Sequence, residues 1–368
     1  MSPLNQKISS IEWGEFKLNE LFDIERGTRF IKSKRKSGKI PLVTAGEQNQ
    51  GVAEFIAYDD ELKIYENHLT IDMFCNCFYR NYKFLCDDNI LVLLPKIDIG
   101  NKSLLFMTSV INKDKAKFGY EKQYRQKSFA EHKIKLPITA SGEIDFEFME
   151  SFVAELEAER VAELEAYLAA ASLKDYKLTA DELSALSKFE NYNWGEFRIG
   201  DLFEMKNTFS FNKEKLTDGN EYDYVTRTSN NQGILQSTGF VNARNLNEAG
   251  IWSLGLLQMD FFYRQRQWYA GQFVRKIIPK IKLTQNSILF FTTLLNSQKN
   301  ILLSVLVRDV DKTFKNLKIK LPVTANDEID FEFMNNFIKA IKKLVIKDVV
   351  LYTDNKIKAT KSIVSSNQ

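Results

Sequence analysis

Apolar and polar positions along the chain alternate between two regimes, and the order of the regimes repeats. Short apolar runs bounded by polar residues, such as Ile90 to Leu94 and Ser287 to Thr292, carry the β-branched and aromatic side chains that favour strands. Polar stretches interrupt them, notably TAGEQNQG from Thr44 to Gly51 and TRTSNNQG from Thr226 to Gly233, which read as loops. Each strand-rich region then gives way to helical spacing. From Phe146 the apolar positions are Met149, Val153 and Leu156, resuming at Val161, Leu164, Leu168 and Ala171; a later stretch shows Met334, Ile338, Ile341 and Val345. Two such stripes can bury each other, most simply as an antiparallel pair. The pattern predicts an α+β protein of two tandem, mostly β units, each followed by a long helix, with the helices paired as an antiparallel coiled coil.

The alternation is a duplication. IKLPITASGEIDFEFM, from Ile134 to Met149, returns as IKLPVTANDEIDFEFM from Ile319 to Met334, identical at thirteen of sixteen positions. WGEFKLNELFDI from Trp13 matches WGEFRIGDLFEM from Trp194, Phe78-Tyr79-Arg80 matches Phe262-Tyr263-Arg264, and Pro95 and Pro137 match Pro279 and Pro322. The offset drifts only from 181 to 185. The chain thus falls into four segments: units over 1–142 and 191–327, and helical regions over 143–190 and 328–368.

Charge changes this picture more than composition does. The net charge of +3 conceals +4 over residues 1–142, −9 over 143–190, +6 over 191–327 and +2 over 328–368. Basic units suit a polyanionic partner, whereas phosphate would repel the acidic helix, which should face protein or solvent. No span approaches the roughly 20 apolar residues of a transmembrane helix, and the start MSPLNQKISS lacks an apolar signal core. Three cysteines, all in the first half, form no even disulfide framework. A cytoplasmic setting is expected.

The WGEF-x4-LF opening, the polar loop ending in Gly51 or Gly233, the KIKLP strand and the alternation of unit and helix together resemble the specificity subunit of Type I and related Type IIB restriction-modification systems. The FDFM-like helix opening, DFEFM at Asp145 and again at Asp330, and the run AIKKLVIKDVVLY from Ala340 to Tyr352 look more like the Type IIB branch. The resemblance implies that each unit is a target-recognition domain reading one half of an asymmetric, bipartite site in double-stranded DNA. It implies that the helices dock DNA adenine methyltransferase subunits, fused to or joined by a nuclease where the system cleaves. S-adenosylmethionine, and Mg2+ for cleavage, would then bind those partners rather than this chain.

Base reading in the major groove calls for Arg at guanine and Asn or Gln at adenine, while lysines serve phosphate better. The first unit offers Arg26, Arg29, Lys32, Lys34, Arg35 and Lys36, then Gln48, Asn49 and Gln50 in its polar loop. The second offers Arg227, Thr228, Asn230, Asn231 and Gln232, then Arg264 and Arg266. Arg80 and Arg264 either touch DNA or brace a loop; Phe78, Phe262, Trp13 and Trp194 read as structural.

Catalysis finds no foothold. The sequence has no Asn-Pro-Pro-Tyr or Asp-Pro-Pro-Tyr signature, glycine-rich nucleotide loop, P-loop or Pro-Asp nuclease motif. His68 and His132 have no partners in the other copy. His68, Cys75, Cys77 and Cys86 match no zinc spacing, and Cys75 and Cys77 should share one buried strand face. The carboxylates of EIDFEF belong at a helix N-terminus, where Asp145 or Asp330 can cap. The competing class is a stand-alone DNA-binding regulator or a protein-interaction module. Finally, VAELEAER from Val153 is followed directly by VAELEAYL from Val161, an eight-residue repeat suited to setting a distance.

Overall fold

The computed structural model describes residues 3–60 and 62–366, with side chains described for 4–60 and 62–358. The outermost ends of the expected first and last segments, 1–2 and 367–368, lie outside the described residues. The chain divides into two bodies, one formed by residues up to Tyr167 together with those from Thr353, the other by Leu168–Tyr352.

In the first body the motif WGEFK forms the strand Trp13–Lys17, antiparallel to Lys133–Pro137, with Trp13 opposite Pro137 and Lys17 opposite Lys133. The period-two pattern of KIKLP sends Ile134 and Leu136 into the core and both lysines outward. Lys133 then meets Glu15 across the pair at 2.7 Å. The same ladder joins Trp194–Arg198 to Lys318–Pro322 in the second body, with Lys318 on Glu196 at 2.6 Å. Trp13 stacks on Phe106 and Trp194 lies edge-on to Phe189, the packing role expected of both.

Each body holds two further sheets of equal topology. A four-stranded antiparallel sheet runs Phe22–Arg26, Ile90–Pro95, His68–Asp72, Cys77–Arg80 in the first body. Its copy runs Phe203–Asn207, Val274–Pro279, Ile251–Gly255, Asp260–Arg264. A three-stranded sheet places Ser37–Val43 between antiparallel Val52–Ile56 and parallel Leu85–Cys86. Its copy places Tyr222–Val225 between Ile234–Thr238 and Trp268–Ala270.

Three expectations need correction. Ser287 to Thr292 is not a strand but part of the helix Gln285–Ser297, the partner of Asn101–Asn112 in the first body. A short apolar run does not by itself separate strand from helix; here Thr284 caps the first turn, accepting the N–H of Ser287 at 3.2 Å. Ser287, Phe290, Phe291 and Leu295 then fall on one buried face. Cys75 is buried as expected but sits in a left-handed turn with φ +63° ahead of the strand that begins at Cys77. The acidic helical region is two helices, Phe146–Ala170 and Ala180–Lys188. The first ends where Ser172 takes φ +54° and the N–H groups of Ser172 and Leu173 bond back to Ala169 and Leu168 at 3.1 and 2.8 Å, a Schellman stop.

The long helices are rooted in the bodies rather than appended to them. Asp145 and Asp330 each accept a backbone N–H three residues on, from Phe148 and Phe333, at 2.8 Å, so these carboxylates are caps. Met149 and Val153 join the first core and Met334 the second. Fully burying each methionine contributes about 1.5–3 kcal/mol. A boundary at 142/143 therefore falls inside a core. In the second body, Ala180–Lys188 is held by Lys343, which meets Glu182 at 3.1 Å, and by Phe189 stacked on Phe337. The sequence pattern does not predict the N-terminal helix Pro3–Ser10, where Lys7 pairs with Glu155. No helix among the described residues is long and apolar enough to cross a membrane.

Candidate nucleic-acid interface

The two polar loops take the same unusual shape. In each, an Asn and a Gln enter the left-handed region consecutively: Asn49 and Gln50 at φ +47° and +55°, Asn231 and Gln232 at +47° and +54°. Gly51 and Gly233 come next, both at φ +78°. Glycine is required there, since a Cβ on Gly51 would meet the carbonyl oxygen of Thr44 at 2.6 Å. The N–H of Thr44 donates to the carbonyl of Gly51, and that of Thr226 to Gly233, both at 2.8 Å. The result is a tight knuckle with its amide side chains turned outward.

What holds the knuckle is the arginine of the Phe-Tyr-Arg triplet. Arg80 donates through Nη2 to the carbonyl of Gln50 at 2.6 Å, through Nε to Thr70 Oγ1 at 2.9 Å and through Nη1 to the Tyr82 hydroxyl at 2.9 Å. Arg264 donates through Nη2 to the carbonyl of Gln232 at 2.5 Å and through Nε to Ser253 Oγ at 2.8 Å. Both side chains are buried, at 1% and 3% exposure. The guanidinium carbons lie 5.5 and 5.6 Å from the ring centroids of Phe78 and Phe262. Burial pushes the Arg264 guanidinium down to about 10. Both side chains face inward, and in each the loop carbonyl is one of the acceptors that hold the guanidinium in place. Of contact and bracing, bracing is the role the geometry provides.

The other expected residues divide. Gln48, Asn49 and Gln50 are exposed, as are Asn230, Asn231 and Gln232. The Asn231 amide is spent on the carbonyl of Ile234 at 3.2 Å. Thr228 is half-buried and accepts the N–H of Asn230 at 3.2 Å. Arg227 is exposed, with its guanidinium 5.2 Å from the centroid of the Phe273 ring. In the basic tract, Arg29, Lys32, Lys34 and Lys36 are exposed, whereas Arg35 donates to the carbonyl of Phe30 at 2.8 and 2.6 Å and to Glu54 at 2.7 Å. Arg26 binds the carbonyl of Asp88 at 2.6 Å. Arg266 is anchored to Asp223 and to the carbonyl of Asn220 at 2.8 Å. Arg35, Arg26 and Arg266 thus have structural work alongside any other.

Sequence reasoning missed Lys213 and Lys215, exposed on the turn Lys213–Lys215 that matches Lys32–Lys34. The offset of 181 applied to Lys32 and Lys34 would have found them. It also missed Arg244, lying 5.4 Å from the centroid of the exposed ring of Phe209. Nothing in the spacing of that stretch marks it. His68 lies on a central strand, and Cys75, Cys77 and Cys86 are buried free thiols, Cys75 pushed up to about 12 by burial.

Surfaces of exposed amides and cations on a rigid β framework, formed twice, have the chemistry of base reading and phosphate contact. The comparisons agree. A specificity subunit, S.BcgI, of a Type II restriction enzyme from Heyndrickxia coagulans is 32% identical over 159 residues, 41% of this chain and 46% of that relative. The match therefore spans about half the relative's length. A Type I restriction-modification S subunit from M. genitalium shares the fold with a TM-score of 0.61 at 15% identity, over 100% of this chain and 97% of that one. The family model of the Type I restriction modification DNA specificity domain matches residues 10–166 and again 191–351, and the chain belongs to that family, carrying its domain twice.

Proposed function

We propose that the chain is the non-catalytic specificity subunit of a restriction-modification complex, each body reading one half of an asymmetric, bipartite target in double-stranded DNA. The observation that carries this is the repeated knuckle: one backbone shape, held by Arg80 and Arg264 alike, presents Glu-Gln-Asn-Gln in one body and Ser-Asn-Asn-Gln in the other. A shared scaffold with different exposed amides is what two different half-sites require. Membership in a specificity-domain family favours this reading over a stand-alone regulator or a protein-interaction module.

In the same proposal the long helices pair in antiparallel fashion and dock DNA adenine methyltransferase subunits, themselves fused to or joined by a nuclease if the complex cleaves. S-adenosylmethionine, and Mg2+ where there is cleavage, bind those partners, and the complex works in the cytoplasm. The test is reconstitution. The purified chain alone should neither methylate nor cleave DNA, and addition of the methyltransferase subunit should bring site-specific methylation. Methyl transfer by the isolated chain, or methylation by the partner that is unchanged in sequence without this chain, would overturn the proposal.

A further inference from the structure

In the second body the turn after Trp268–Ala270 carries an aromatic ring where the fold does not require one. Phe273 is 49% exposed, and its φ of +61° is a conformation that bulky residues rarely adopt. Its carbonyl accepts the N–H of Leu256 at 2.9 Å, which holds the backbone of this turn. Arg227, from the loop Thr226–Gly233, lies over the ring at 5.2 Å. The approach depends on Gly255, where a Cβ would sit 2.8 Å from the Arg227 Cα.

The first body shows what the same turn looks like without this device. Asp87 N–H donates to Val43 and Gly271 N–H to Val225, at 2.9 and 2.8 Å, so the two turns are equivalent. The residue ahead of the strand Ile90–Pro95 is Asn89, which accepts from Arg125 at 3.2 Å, and Asp88 pairs with Arg26 at 3.3 Å. One body is polar at this place and the other presents a ring with a cation laid on it.

Among base edges in the major groove the apolar feature is the 5-methyl group of thymine, and a guanidinium held over a ring has fewer orientations to lose on meeting guanine. We propose that Phe273 is a specificity-determining residue of the second body, contacting a thymine methyl group while Arg227, held on its ring, addresses the neighbouring base pair. The inference rests on the reading that the loop Thr226–Gly233 faces DNA.

The test uses the complex of this chain with its methyltransferase subunit on its mapped target, replacing each thymine in turn by deoxyuridine. Wild type should lose about three- to fivefold in affinity at one position of the second body's half-site, the worth of one buried methyl group. Phe273→Asn puts there the residue the first body carries, one that tolerates left-handed backbone. It should fold with an unfolding midpoint no lower than wild type, bind the thymine and deoxyuridine duplexes equally, and leave the other half-site's series unchanged. A flat deoxyuridine series in wild type, or a thymine preference that survives Phe273→Asn, would overturn the proposal. So would a loss shared equally by both duplexes, which would make the ring only a support for Arg227. Absence of any site-specific binding by wild type would instead refute the underlying reading of the chain.

Discussion

Arg80 and Arg264 each hold an exposed loop from its buried side. A guanidinium taken out of water must recover its hydration through hydrogen bonds. Here two or three of them run to neutral oxygens, one being the loop carbonyl itself. Arg264→Met removes the donors and leaves the Gln232 carbonyl and Ser253 hydroxyl behind, so the second body should lose about 1–3 kcal/mol of stability, read as a lower denaturation midpoint. Lysine should not rescue it, because a single ammonium cannot span the positions that Nε and Nη2 occupy. A second residue-scale consequence is pH dependence. Both histidines of the chain, His68 and His132, belong to the first body. Burial holds each below its ordinary value of 6.5; for His132 the neighbouring Asp114, at 3.1 Å, works against that burial without cancelling it. The unfolded chain therefore takes up the proton first. The contribution is complete above about pH 6.5 and is lost as pH falls toward the folded-state values, by up to about 1.4 kcal/mol per pH unit for each histidine. Unfolding of the first body should show this acid slope and His132→Gln should reduce it, whereas the second body should show no histidine-linked slope.

Among the elements, capping decides what periodicity leaves open. Thr284→Ala should cost about 1 kcal/mol, measured by denaturation, because it removes the acceptor for the first turn of Gln285–Ser297. That cap was not read from the sequence, because the apolar run from Ile288 to Phe291 reads equally as a buried strand. The KIKLP strands, the polar loops and the starts of both long helices were legible because each has one strong local cause: period-two alternation, a glycine needing positive φ, and an aspartate cap. The helix stop at Ser172 was not, since its signal is the backbone conformation of a serine, which no residue type announces. In the candidate site the exposed amides were legible from composition. The inward turn of Arg80 and Arg264 was not, because an arginine followed by polar residues looks the same in sequence whether it faces solvent or a loop carbonyl.

For the whole molecule, we propose that the direct repeat in Phe146–Ala170 sets a length. Val153 is buried in the first core, and Val161 repeats it eight residues on, so deleting Val153 to Arg160 puts a valine back at the core position. The helix would lose about 12 Å, and the chain beyond the deletion would turn by roughly 80°. The spacer between half-sites should shorten by about one to three base pairs, at about 3.4 Å each, with both half-sites unchanged. An unaltered spacer in a variant that folds and binds its partner would dispose of the ruler. The claim on which the rest depends is that each body reads its own half-site through its own arginine-held loop. The direct measurement is methylome sequencing of cells that carry this chain and its methyltransferase, compared with cells in which Thr226 to Gly233 is replaced by TAGEQNQG, the sequence of Thr44 to Gly51. The account predicts a changed sequence in one half of the methylated site and an identical other half; a change in both halves, or in neither, would contradict it.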